Sequence, residues 1–241
     1  AMIEAGADLI DVGGESTRPG AGSVAADVEG ARVLPVIEAL AGEIQAPISI
    51  DTSKPEVMRD AVAAGAGMIN DVNALRAPGA LEAAADLGVP VCLMHMRGEP
   101  RTMQQSPTYA DVVAEVRAFL AARIGACEGA GIARERLLID PGFGFGKDLQ
   151  HNLRLLAELE QIASLGVPVL VGLSRKSMLG MITGRPVDAR LAAGLAAAVL
   201  AAERGARVLR VHDVAETRDA LAVVEAVSRV AAHSRVDALG G

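Results

Sequence analysis

The feature that most constrains this chain is a unit that recurs along it: a helix-like stretch, a glycine, a short apolar run and a polar cluster. Six segments carry the unit: AGADLIDVGGESTRP, AGAGMINDVN, LGVPVCLMHMRG, AGIARERLLIDPGFGFGK, LGVPVLVGLSRKS and RGARVLRVHDV. A seventh, APISIDTSKP, lacks only the preceding glycine. Glycine suits the left-handed position that ends a helix, and an apolar run of about five residues suits a strand buried on both faces. The repeat therefore predicts an α/β fold with seven parallel strands. Helices are expected near 24–42, 55–65, 79–87, 109–130, 149–165, 188–204 and 214–232. Pro55 falls in the first turn of the second, and Asp188 reads as the N-cap of the next-to-last.

No Pro, Gly or Ser-rich linker interrupts the rhythm, so residues 1–241 are expected to form one domain. Seven strands are one short of a closed eight-stranded barrel. The opening residues AMIEAGAD read as the last turn of a helix and its glycine cap. The expected fold is thus a (β/α)8 TIM-type barrel whose first βα unit is largely missing from this chain.

In such folds ligands bind at the carboxyl ends of the strands. Those ends carry Asp11 and Arg18, Asp51 and Lys54, Asn70 and Asp71, His95, Asp140 and Lys147, Ser174 to Ser177, and Arg210 with His212. A net charge of −7 argues against broad nucleic-acid binding. An acidic chain that gathers Lys54, Lys147, Arg175, Lys176, Arg210 and His212 at strand ends suggests a small anionic ligand held locally. The longest uncharged apolar stretch, Leu191 to Ala202, is well short of the roughly 20 residues that span a bilayer. With no segment resembling a signal peptide, a cytoplasmic protein that meets no membrane is expected. Cys92 and Cys127 form no CxxC pair and read as reduced core residues.

Two of the three phenylalanines sit in one glycine-rich loop, DPGFGFGK. Phe145 is read as stacking on a flat ligand, and Phe143 as either a ligand contact or a plug of the barrel mouth. In GLSRKS, Arg175 and Lys176 point in opposed directions, so one of them faces the site. Arg210 and His212, two residues apart, can face one phosphate. The carboxylates Asp51 and Asp140 fit general acid and base work, metal ligation or acceptance from an N–H-rich ligand, and spacing does not choose between these. His95 is read equally as a ligand contact or a plain strand-end residue.

Together DVGGESTRPGA, SIDTSKP, INDV, CLMHMRG, DPGFGFGK, GLSRKS and RVHDV resemble the dihydropteroate synthase family along essentially the whole chain. The resemblance implies a pterin-binding TIM barrel that condenses 6-hydroxymethyl-7,8-dihydropterin pyrophosphate with p-aminobenzoate, with Mg²⁺ as cofactor and a homodimer as the assembly. It would also make the chain a sulfonamide target. By the same resemblance Asp51, Asn70, Met94, Asp140 and Lys176 hold the pterin, and Asp51, Asp140 and Lys176 are catalytic. Arg18, Arg210 and His212 hold the pyrophosphate, and Thr17, Pro19, Phe145 and Ser174 surround the p-aminobenzoate. The family's Mg²⁺-associated Asn belongs to the first strand's loop and has no counterpart in these residues. Two alternatives stand: a non-catalytic pterin-binding paralogue or partner subunit, and a methyltetrahydrofolate-dependent corrinoid methyltransferase. The latter has no use for Arg18, Arg210 and His212.

Overall fold

In this computed structural model, residues 1–18, 20–99 and 102–239 are described. The strands are β1 (Ile10–Gly13), β2 (Ile48–Asp51), β3 (Met68–Asp71), β4 (Val91–Met94), β5 (Leu137–Asp140), β6 (Val169–Val171) and β7 (Ala206–Leu209). They form one parallel sheet in sequence order. Nine helices alternate with them among the described residues: α1 (Ala26–Glu43), α2 (Pro55–Ala63), α3 (Ala80–Leu87), α4 (Val112–Gly129), α5 (Leu149–Ala157), α6 (Leu159–Ala163), α7 (Ser177–Thr183), α8 (Leu191–Glu203) and α9 (Val214–Leu239).

The glycines that define the repeat do what the pattern requires. Gly6, Gly65, Gly88, Gly131, Gly166 and Gly205 all have positive φ. At Gly131 the helix end closes through Gly131 N–H to Glu128 O and Ile132 N–H to Cys127 O, both 3.0 Å, which satisfies two otherwise orphaned carbonyls. The opening residues close the same way, with Ala7 N–H donating to Met2 O at 3.0 Å and Gly6 N–H to Ile3 O at 2.9 Å.

Strand residues alternate between two environments. Ile48, Ile50, Ile69, Val91, Leu93, Leu137, Ile139, Val169 and Val171 face outward into the main core, shared with helix residues such as Ile37, Met58, Leu120 and Leu155. The intervening residues face a shared interior, where Met68, Cys92 and Leu170 pack with Leu9, Leu138 and Val208. Leu9, just before β1, and Val208 of β7 share that cluster although the two strands lie at opposite ends of the sheet order. The sheet is therefore strongly curved, and an ion pair from Arg210 to Asp11 at 2.6 Å crosses between its two edges.

Three expectations on the helices need correction. The stretch 149–165 is two helices, α5 and α6, broken at Glu158. Leu155, Leu159 and Ile162 keep helical spacing straight through the break, which hides it in the sequence. Asp188 lies in a 3₁₀ turn (Val187–Ala189), and α8 starts after Arg190 without a side-chain cap. Residues 177–183, to which no element was assigned, form α7. Its Gly180 leaves room for the Arg190 guanidinium, which a Cβ there would strike and which donates to Arg175 O at 3.0 Å. The remaining helices fall within three residues of expectation at either end, except α9, whose backbone runs on to Leu239. Cys92 and Cys127 are both buried and free, as read.

Candidate functional site

Two residues beyond the apolar interior positions, toward the strand ends, the same alternation brings a polar set inward. From Leu9, Met68, Leu138 and Val208 the step leads to Asp11, Asn70, Asp140 and Arg210. On β2 it leads from Ser49 to Asp51, and on β4 from Cys92 to Met94. Register fixes the neighbours: Asp51 pairs with Asn70, and Met94 with Asp140. A one-residue slip would turn any of these outward, so the hydrophobic pattern of each strand sets where its carboxylate points.

The set is electrostatically coupled. Burial, and then the Asp11 carboxylate, pushes Asp51 up to about 7. Burial also raises Asp140, whose Oδ1 accepts the Gly142 N–H at 2.7 Å. Burial brings Lys176 down to about 8, against the pull of Asp140. Arg210 donates from Nε to Asp11 at 2.6 Å and has Nη2 3.7 Å from Asp51. Asn70 donates to Asp11 at 3.4 Å.

The loop after β6 resolves the choice between Arg175 and Lys176. Arg175 takes a left-handed backbone (φ 59) and turns outward to Asp213 at 2.5 Å. Lys176 turns inward, with its ammonium 4.4 Å from the Phe145 ring centroid. Ser174 meets His212 Nδ1 at 3.0 Å. Burial, followed by Arg175 and Arg210, lowers the His212 pKa, and Arg18 acts in the same direction. Met94 packs with Met96, Met103, Val72 and Phe145. A cleft of about 640 Å³ opens beside Asp51 and is lined by Ser16, Thr17, Lys54, Asn73, Arg76 and Met96. Pro19, expected near p-aminobenzoate, lies outside the described residues.

Three cations read as anion ligands have other partners. Lys54 is bound by Glu15 and by Glu29, which is fully buried. Lys147, 2% exposed, donates to Gly142 O at 2.9 Å and Phe145 O at 3.0 Å, with His95 Nδ1 at 2.9 Å. Arg175 belongs to Asp213. Arg210 is paired too, with Asp11 through Nε, but keeps its outer N–H donors, and Lys176 and His212 pair with no carboxylate among the described residues. His95 is a buried framework residue, edge-on to Phe119 at 4.9 Å, and Phe143 is core, 1% exposed. Asp11 was noted at a strand end and given no role. Its signal was the two-residue step from Leu9, the step that also places Asp51 after Ser49.

The sequence matches the family described as pterin binding enzyme over residues 1–212. It is 54% identical over 236 residues to the dihydropteroate synthase of Escherichia coli (strain K12), covering 98% of this chain and 84% of that one. The dihydropteroate synthase of Haemophilus influenzae is 51% identical over 227 residues, 94% of this chain and 82% of its own. Among solved structures, a Yersinia pestis dihydropteroate synthase with a sulfonamide drug complex superposes with a TM-score of 0.93 at 51% identity, covering 95% of this chain and 83% of that one. The Xanthomonas albilineans dihydropteroate synthase with 4-aminobenzoic acid gives a TM-score of 0.90 at 60% identity, covering 94% and 81%.

Proposed function

We infer, for a chain that belongs to the pterin-binding enzyme family and to its dihydropteroate synthases, that it condenses 6-hydroxymethyl-7,8-dihydropterin pyrophosphate with p-aminobenzoate. The products are 7,8-dihydropteroate and pyrophosphate, in folate biosynthesis. The observation that carries the residue roles is the convergence of Asp51, Asn70 and Asp140 with Lys176 and Arg210 at one end of a curved parallel sheet.

The pterin's amino-amide edge presents parallel N–H donors that a carboxylate accepts in pairs, and Asp140 fills that role. Asn70 and Lys176 meet the other ring heteroatoms, and Met94 forms an apolar wall. The C–O bond to pyrophosphate breaks with its electron pair leaving on oxygen, helped by the positive charges of Arg210, His212 and Arg18. The ring stabilises the methylene cation, and Asp51 faces the developing positive charge as a carboxylate. The p-aminobenzoate amine, held by Thr17, Pro19, Phe145 and Ser174, bonds to that carbon and then loses a proton.

Mg²⁺ is the cofactor this reading carries, and pyrophosphate oxygens are its natural ligands, because Mg²⁺ keeps several waters and binds through substrate phosphates. Among the described residues no group of three His, Cys, Asp or Glu side chains could hold a metal. No step here runs through the ion. The finer fold reading, an eight-stranded barrel, is supported by β1 and β7 each pairing on one side only among the described residues. For a homodimer the support is a set of exposed apolar side chains on α7 and at the start of α8: Met181, Ile182 and Leu191. A cytoplasmic setting accords with the lack, among the described residues, of any helix long and apolar enough to cross a membrane.

The test is product formation from both substrates with Mg²⁺, read by mass spectrometry, with two variants beside it. Asp140→Ala should abolish binding of a plain pterin. Arg210→Ala should leave that binding intact and weaken the pyrophosphate ester by about 100-fold, the scale of a lost charged contact. Equal loss of plain pterin affinity in both variants would contradict the assignment.

A further inference from the structure

Arg210 sits just past β7, and its long side chain crosses the open side of the curved sheet to reach Asp11 on β1. A guanidinium carries five N–H donors in a rigid fork. Its Nε is taken by Asp11 Oδ2 at 2.6 Å, while Nη2 stands 3.7 Å from Asp51, beyond hydrogen-bond reach. The bond to Asp11 therefore fixes the plane of the fork and leaves its outer donors for another acceptor.

Asp11 is a poor choice for stability. Its Oδ1 is buried without a hydrogen-bond partner among the described residues, and its side chain is only 13% exposed. The neighbouring interior position, Leu9, is apolar and packs in the interior layer. A buried carboxylate with an orphaned oxygen costs free energy that an apolar residue of similar volume would not. The feature Asp11 provides, which such a residue would lack, is the hold on Arg210, supplemented by an acceptor for Asn70 at 3.4 Å.

We propose that Asp11 is a positioning residue that orients Arg210 toward the pyrophosphate of the first substrate. The proposal rests on the reading that Arg210 receives that group. Asp11 also has a second effect, through charge: it is the largest influence after burial on the raised Asp51. Removing its charge should move the acid limb of the pH–rate profile to lower pH, a response that a merely structural role for Asp11 would not produce.

The experiment compares Asp11→Asn, Asp11→Glu, Arg210→Ala and the double variant Asp11→Asn/Arg210→Ala. Calorimetry reads their binding of inorganic pyrophosphate with Mg²⁺, and separately of 6-hydroxymethylpterin, which has no pyrophosphate. Asp11→Asn should weaken pyrophosphate about tenfold and pterin less than twofold, and the double variant should bind pyrophosphate no worse than Arg210→Ala alone. Normal pyrophosphate binding by Asp11→Asn, with loss in Arg210→Ala, would overturn the positioning role and leave the anion role of Arg210 standing. Unchanged binding in Arg210→Ala would overturn both. Equal loss of both ligands in Asp11→Asn would make Asp11 structural and overturn the proposal. If Asp11→Asn does not fold, Asp11→Glu carries the test, because it keeps the charge and shifts the guanidinium by one methylene. Weakened pyrophosphate with intact pterin binding would then support the proposal, and unchanged pyrophosphate affinity would overturn it.

Discussion

The loop after β5 and the loop after β1 both border the site, and they are held by different physics. In the β5 loop every glycine is secured. Lys147 gathers the Gly142 and Phe145 carbonyls, Asn152 accepts from Gly144 N–H at 2.8 Å, and Tyr109 donates to Gly146 O at 2.8 Å. Side chains at Gly142 or Gly146 would strike the carbonyls of His95 and Arg97, so the loop lies directly on the one after β4. The β1 loop is gripped at its root, where Arg32 donates to Gly14 O at 2.8 Å and Lys54 binds Glu15. Beyond Glu15, Ser16 and Arg18 are exposed and linked by a single 3.4 Å bond. The contrast separates a fixed wall from a cover held mainly at its root; on the proposed reading the wall shapes the ring pocket and the cover meets the second substrate.

Four substitutions would break or sharpen that contrast. Lys147→Met should have the largest effect. It leaves two loop carbonyls without their buried donor, and unfolding in urea should show a loss of about 3 kcal/mol. A loss well under 1 kcal/mol would mean the wall stands without its lysine. Lys54→Met leaves Glu29 buried and unpaired beside Glu15, for a loss of about 2 kcal/mol. Because the cover loses its root, KM for p-aminobenzoate should rise while plain pterin affinity holds, and a rise in both would erase the distinction.

Third comes His95, which underpins the wall. Burial, then Lys147, drives its pKa down to about 2, against about 6.5 in an unfolded chain. The unfolded state binds the extra proton between those values, so stability should fall as pH drops from 6.5 toward 2, by at most about 1.4 kcal/mol per unit. His95→Gln should flatten that part of the profile, and an unchanged slope would place the acid sensitivity elsewhere. The smallest effect belongs to Gln104→Ala, which removes an exposed donor to Gly144 O and should shift stability by less than about 0.5 kcal/mol. A larger shift in a thermal melt would show that the wall depends on its outer neighbours.

Much of the site was legible because it is written in the strand register. Asp51, Asn70 and Asp140 lie two residues past interior positions, and a period of two survives in sequence without knowledge of distant contacts. The glycine that ends most of the helices before a strand is equally local. Roles that depend on partners far along the chain were not legible. Lys54, Lys147 and Lys176 look alike at strand ends, and what separates them is Glu29 for the first, His95 for the second and the face of the Phe145 ring for the third. Counting cations at strand ends therefore overstated the anion site. Asp11 escaped for the same reason, since its meaning comes from an arginine 199 positions away. The break between α5 and α6 escaped because the apolar spacing continues across it.

The apolar interior beneath the polar set has one more consequence. Cys92 sits in it fully enclosed, with a thiol pushed far above its ordinary pKa by burial. A maleimide or iodoacetamide reagent can meet that sulfur only when the strands part, since both thiolate formation and access are denied in the closed form. Its alkylation rate is therefore a built-in clock for how often the curved sheet opens, readable in any of the variants above without engineering in a further thiol.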